Sequence, residues 1–546
     1  MPRARRAALG RRLAILAALA ALSALTSMPA VSVVPGGFRD DPVATVGAPT
    51  ALAFTPDGRL LVTTQGGTLR VVANGALLPT PALSFAPSQI CTESERGLLG
   101  VAVDPNFAGN SFIYLFYTFA PPGGGCVNRV SRFTLPPGNV VDPASELVLI
   151  DNMPSPAGNH NGGDLQFGKD GHLYVTIGDG GCDYAGNSGC AGANDAARDL
   201  HVLTGKVLRI TPGGGIPATN PFLGAGTARC NVTGQTTPGI RCQETFAWGL
   251  RNPFRLGFDP NDAGTRFFVN DVGQGLWEEI DLGQAGVDYG WNCREGAHTN
   301  STIGPCSPTP PGMVDPIFEY AHGTQIPGTT SPSSCNCVSG GAFVPDGLWP
   351  GHDGAYLFGD CTCGGIFRLD EAAGVFSAGN FAAGLGTVVH LAFGPYRSRQ
   401  ALYYTTFAGG GQVRRIVGPV GPLDFHTVAP CRLADTRNPP GPSGGPALAA
   451  GSTRAFQVAG LCGVPATAEA VAVNVTVTSP NAAGNLVLFP GGSTAPATST
   501  INFVAGQTRA NNATVELGAV GDLGVSCTMP GGGAVHFVLD VTGYYE

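Results

Sequence analysis

The sequence predicts an all-β protein, a six-bladed β-propeller followed by a smaller β-sandwich domain. Three observations carry that prediction. Gly (82) and Pro (45) are abundant in 546 residues of which only 12% are charged, a stock of turns with little charged helical surface. One strand pattern recurs six times between residues 51 and 417. After Val417 that pattern stops, and longer alternating stretches replace it.

The N-terminus comes first. Arg3, Arg5, Arg6, Arg11 and Arg12 precede an apolar run from Leu13 to Leu25, and small residues follow around Ala30. This is the layout of a secretory signal, too short to span a bilayer. Residues 1–32 are therefore assigned as a signal peptide and the mature chain as secreted or periplasmic. Its removal shifts the net charge from −8 to near −13. No later stretch predicts a membrane span. No basic run exists beyond the first dozen residues, which excludes a phosphate-tracking nucleic-acid surface.

The six copies share an apolar strand, a turn, a second apolar strand and a strand often ending in Arg. The first reads ALAFTPDGRLLVTTQGGTLRVV at 51–72, and the last lies at 388–417. P-D-G turns join the strands, Gly supplying the positive φ. One such sheet cannot bury both faces alone, so copies stacked around an axis are the stable solution. A plain two-sheet sandwich is the alternative, and it leaves the repeat unexplained. The propeller is assigned to 33–417, a Pro/Gly linker to 418–423 and the sandwich to 424–546. The stretch AVAVNVTVTS at 470–479 has the alternation of a half-buried strand.

Fifteen cysteines agree with an oxidising compartment. Close spacing suggests bridges Cys91–Cys126, Cys182–Cys190, Cys230–Cys242 and Cys293–Cys306. The pairs Cys335/Cys337 and Cys361/Cys363 either cross-link neighbouring strands or supply a tetrathiolate zinc site. One thiol is left over in the tail, at Cys527.

Propeller loops at one end of the axis converge, so residues far apart in sequence can meet. The most concentrated polar segment is Asn159-His160-Asn161-Gly162-Gly163-Asp164. Asp179 lies nineteen residues beyond His160, on the next strand of the same unit, where a hairpin brings a carboxylate to the imidazole. The alternative is a structural His beside a turn-forming Asp. Arg251-Asn252-Pro253 offers a cation and an amide to an anionic or carbonyl-bearing ligand, or pairs Arg251 with an acid across a blade. Asp271-Val-Gly-Gln274 with Glu278-Glu279 offers the hard oxygen ligands that calcium takes. There is no P-loop or H-E-x-x-H segment.

Taken together, SERGLLGVAVDPNF, NHNGGDLQFGKDGHLYVTIGDGG, LTGKVLRITP, WGLRNPFRLGFDP and DVGQGLWEEIDLGQAGVDYGW resemble the soluble quinoprotein sugar dehydrogenases of the glucose/sorbosone dehydrogenase family. The resemblance covers about 45–417. The tail is similar to β-sandwich modules appended to exported bacterial proteins. The resemblance implies that His160 is the general base, taking the sugar C1 hydroxyl proton as hydride passes to pyrroloquinoline quinone (PQQ). Asp179 orients that His, while Arg251 and Asn252 contact the quinone and its developing charge. Glu95 falls where the family places a cofactor-side Gln. The backbone around Gly273 and Gln274 supplies calcium ligands, and Glu279 with the Tyr289 backbone supplies a further calcium site.

The chain departs from the family at the quinone carboxylates. The anchoring Lys falls on about Thr362, and the last-blade Arg on Thr387–Val389. Only two lysines, Lys169 and Lys206, exist in the chain; Arg368 and Arg397 are candidate substitutes. The expected function is an exported PQQ- and calcium-dependent dehydrogenase of an aldose or similar alcohol. It would pass electrons to an external acceptor, with surface or matrix attachment through the C-terminal domain. The alternatives are a non-catalytic secreted propeller that binds carbohydrate or protein ligands, and the same chemistry with another cofactor or a bare metal.

Overall fold

The computed structural model describes residues 33–181, 196–397, 399–419, 421 and 423–546. The assigned signal peptide and the Cys182–Cys190 bridge lie outside the described residues. Between 39 and 417, six antiparallel sheets of four or five strands follow one another among the described residues. The first strands of these sheets are Pro49–Phe54, Leu98–Val103, Leu165–Phe167, Pro253–Phe258, Val338–Phe343 and Val388–Tyr396. Each packs against the first strand of the next sheet, and the last returns to Pro49–Phe54. Buried apolar side chains fill every gap between neighbouring sheets. Ala51 and Leu61 of the first sheet meet Val101 and Ile113 of the second. Tyr396 and Tyr403 of the sixth meet Leu52 and Val62 of the first, which closes the ring. This is the propeller arrangement, in which each sheet buries both faces against its neighbours.

The sixth sheet borrows its outer strand. Arg39–Thr45 pairs antiparallel with Gln412–Val417, from Arg39↔Val417 to Thr45↔Gln412. The fourth strands of the third and fourth sheets, Thr245–Trp248 and Phe318–Ala321, arrive only after long connections.

The tail forms two further sheets. One orders Phe425–Asp435, Ala534–Tyr545, Ala470–Thr478 and Arg509–Glu516; the other orders Thr453–Gln457, Asp522–Thr528, Gly484–Pro490 and Ile501–Phe503. Ala470–Thr478 buries Val471, Val473, Val475 and Val477 and no residue between them, the period-2 signature of a sheet with one face in a core. This sandwich meets the propeller at the turn after Tyr396. Arg397 pairs there with Glu469, both side chains 4% exposed, and donates to the Gly518 carbonyl at 2.8 Å. Arg39 reaches Glu516 at 2.8 Å. The turn lies at the opposite end of the sixth sheet from Thr387.

Three bridges expected from spacing are present: Cys91–Cys126, Cys230–Cys242 and Cys293–Cys306. The two C-x-C pairs form a crossed set, Cys335–Cys363 and Cys337–Cys361, so those thiols are bonded to each other and are not zinc ligands. Cys431 bonds Cys462, and Cys527 is a buried free thiol.

Candidate active site

The connection from Leu147–Pro154 to Leu165–Phe167 carries His160 from the second sheet into the third. His160 has φ +52°, a left-handed conformation that costs a branched or bulky side chain strain. Two glycines make room for it. A Cβ on Gly178 would lie 2.2 Å from the His160 carbonyl, and one on Gly162 would lie 3.1 Å from Ile177 and Pro253 backbone atoms. Leu165–Phe167 and Leu173–Ile177 form the expected hairpin. Its open end brings Asp179 Oδ1 to His160 Nδ1 at 2.7 Å.

His160 is 7% exposed and Asp179 2%. Asp179 Oδ1 also accepts the Gly181 N–H at 2.8 Å, and Oδ2 accepts the Trp291 indole N–H at 2.9 Å. These donors hold the carboxylate so that it takes Nδ1–H, which leaves Nε2 as the lone-pair nitrogen. Nε2 has no protein partner among the described residues. The His160 N–H donates to Glu95 Oε2 at 2.7 Å.

Arg251 and Asn252 sit between the third sheet and Pro253–Phe258. Their N–H groups donate to Asp271 Oδ2 and Oδ1 at 2.8 and 2.6 Å. The Arg251 guanidinium donates to the Val272 and Gly273 carbonyls at 2.8 and 2.6 Å and lies over the Trp291 ring, 5.6 Å from its centroid. Asn252 Oδ1 accepts from Gly162 at 3.1 Å. Arg251 is therefore tied to carbonyls rather than paired to an acid through its guanidinium. Burial raises the Asp271 carboxyl well above its ordinary value, despite those two N–H donors.

A cavity of about 270 Å³ opens where the first strands meet, with Asn161, Gly162 and Asn252 in its wall. The rest is largely apolar: Leu99, Phe254, Val272, Val389, Phe407 and the Cys337–Cys361 bridge. Glu95 lies at this wall, and Arg255 is its one cation among the described residues. Arg255 is 2% exposed and already donates to the Thr50 and Phe254 carbonyls, both at 2.7 Å. Asp164 is near enough to offset its charge. The two candidate substitutes for the missing anchors are elsewhere. Arg397 binds Glu469 in the sandwich, and Arg368 pairs with Asp370 at 2.8 Å beside His352. Thr362 is held by Asp360 and the Ser334 carbonyl.

The calcium candidates divide by role. The Gly273 carbonyl accepts from Arg251, while Gln274 Oε1 is buried with no partner. Glu279 pairs across the sheet with Asp271, and Val269 with Asp281, so Asp271, Glu279 and Asp281 share one face. Glu279 Oε2 and both Asp281 oxygens are buried without hydrogen-bond partners. Burial, followed by mutual repulsion, pushes Glu279 and Asp281 well above the carboxylate range. Orphaned carboxylate oxygens of this kind fit a hard divalent cation. The Tyr289 hydroxyl donates to the Leu282 carbonyl at 2.6 Å. Glu278 is not part of this group. It faces the fifth sheet, accepting from Val338 N–H at 2.9 Å and pairing with His322 at 2.5 Å.

Sequence reasoning missed Trp291, Asp281 and Arg255. The motifs D-Y-G-W, E-E-I-D and R-N-P-F-R contain all three, but nothing local says that Trp291 reaches a carboxylate 112 residues upstream.

Comparison with known proteins finds relatives of the chain. A 31% identical relative over 249 residues is the aldose sugar dehydrogenase YliI of Escherichia coli, matching 44% of this chain and 58% of that protein. The quinoprotein glucose dehydrogenase B of Acinetobacter calcoaceticus is 28% identical over 267 residues, 46% of this chain and 51% of that one. The chain thus spans little more than half the length of either relative. A solved Thermus structure, described as a putative oxidoreductase (glucose dehydrogenase), aligns over 70% of this chain and all of that one, at 28% identity and a TM-score of 0.52. The glucose/sorbosone dehydrogenase family model matches residues 46–375, and the chain belongs to that family.

Proposed function

We propose that the protein is an exported, calcium-binding dehydrogenase that oxidises an aldose or similar alcohol, with a quinone as hydride acceptor. The observation that carries this reading is the buried His160–Asp179 pair, at 2.7 Å, next in the chain to Asn161 and Gly162 of the cavity wall. Nε2 takes the hydroxyl proton, and Asp179 stabilises the imidazolium that forms. Arg251, held by two carbonyls, sets positive charge next to the reacting oxygen. Glu279 and Asp281, with Gln274 nearby in the chain, would hold calcium. Bound near a carbonyl, calcium supplies Lewis-acid polarisation. Six disulfides among the described residues support an extracytoplasmic location.

PQQ carries three carboxylates, and the cavity does not fit them. Its wall offers one cation already committed to two carbonyls, and an acid in Glu95. The test is aldose-dependent reduction of an artificial acceptor by the full chain with calcium. His160→Ala should lower turnover by at least 10²-fold. Unchanged turnover in that variant refutes the base assignment. No turnover with any acceptor favours the ligand-binding alternative.

A further inference from the structure

We infer that the cavity beside His160 takes an uncharged quinone, as a hydride-accepting co-substrate, in place of a tricarboxylate cofactor. The inference rests on the dehydrogenase reading and names its acceptor.

Besides Asn161, Asn252 and the neutral side chains of Gln65, Ser94 and Thr387, the lining includes Leu99, Val389, Phe407 and the Cys337–Cys361 bridge, and most of its exposed surface is apolar. Such a surface binds a flat apolar ring by burial. It gives a carboxylate nothing in return for the water it loses. Arg255 also lines the cavity, with Thr50 and Phe254 carbonyls on its Nη groups and Asp164 opposing its charge. Glu95 carries the opposite sign from the one an anion needs.

The reaction then balances simply. Hydride leaves the carbinol carbon for the quinone, and the hydroxyl proton goes to His160 Nε2. The C–O bond becomes C=O, and the quinone becomes a hydroquinone anion that His160 reprotonates. Alcohol and quinone give carbonyl compound and hydroquinone, with two electrons and two protons accounted for.

The experiment compares three quinones by calorimetry on the full chain with calcium: PQQ, its trimethyl ester and 2-methyl-1,4-naphthoquinone. The ester keeps the rings and removes the charges. The expected result is that the ester binds at least tenfold more tightly than PQQ, with the naphthoquinone also bound. Thr387→Arg, at the cavity wall, should raise PQQ affinity at least tenfold relative to its trimethyl ester. PQQ binding as tightly as its ester overturns the inference and leaves the dehydrogenase reading standing. No binding by any of the three, while aldoses still reduce ferricyanide, also overturns it. Loss of both binding and turnover overturns the underlying reading as well.

Discussion

Asp179→Asn is the substitution whose outcome the geometry constrains most tightly. The carboxylate accepts on both oxygens from fixed donors: Gly181 N–H and His160 on Oδ1, and Trp291 N–H on Oδ2. An amide must turn its NH₂ toward one of them. If it faces Trp291, two donors meet in a buried site. If it faces Gly181, the donors clash there, and His160 Nδ1 must become an acceptor, which moves its proton to Nε2 and removes the base. Either orientation also deletes the charge that stabilises the imidazolium across 2.7 Å. A hydrogen bond to a charged group is worth about 1.5–3 kcal/mol, and the donor clash adds about 1–3 kcal/mol. The sum predicts a fall in kcat of roughly 10²–10⁴, with the comparable Asp→Asn change in a serine-protease triad near the upper end. Steady-state kinetics with an aldose and a dye acceptor measures the loss. Imidazole ¹⁵N shifts of His160 report which nitrogen carries the proton. A variant within threefold of the parent, with Nδ1 still protonated, would refute the reasoning.

Further outcomes follow from charge, docking and cross-links. Burial raises Glu279 and Asp281 above their unfolded values, so the folded apo-protein holds protons there that the unfolded chain releases. Its stability therefore falls as pH rises above about 4 toward the folded values. Calcium replaces those protons, and the Tm gain on adding calcium should grow from pH 5 to pH 8; a gain that shrinks contradicts the assignment. Arg397→Ala strands buried Glu469 and should cost up to about 3–5 kcal/mol, less what Arg399 at 3.5 Å recovers. Urea unfolding and protease release of the sandwich measure it, with aldose oxidation retained because the turn lies opposite the cavity. Cys337→Ser with Cys361→Ser should cost well under the roughly 3 kcal/mol typical of a lone bridge. Cys335–Cys363 still closes nearly the same loop, so only loss of both bridges should show the full effect in thermal denaturation.

The fold was largely legible because each sheet repeats its own turn chemistry. Thr55 to Arg59 shows why: Gly58 takes φ +85°, and the Thr55 N–H meets the Arg59 carbonyl at 2.9 Å. The outer strand Arg39–Thr45 was not legible. RDDPVAT is polar and carries a proline, and only ring closure gives it a partner. At the site, His160 and Asp179 could be paired from sequence because one hairpin joins them. Trp291 could not, since its contact depends on how the third and fourth sheets meet. Asp271 was read as an oxygen donor for a metal, and its oxygens instead cap the Arg251 and Asn252 N–H groups. Arg397 looked available for the cofactor until the sandwich claimed it.

The borrowed strand also sets an order of events. Arg39–Thr45 is made before any sheet of the ring, and its partner Gln412–Val417 after all the others. Bringing such distant ends together costs about 5 kcal/mol of chain entropy by the (3/2)RT ln n rule, repaid only when the final strands dock. Until Gln412–Val417 is free to dock, the chain is an open arc with a sticky edge at each end. A substitution that weakens this one clasp thus acts on all six sheets at once, by lengthening the time the arc is exposed to misassociation.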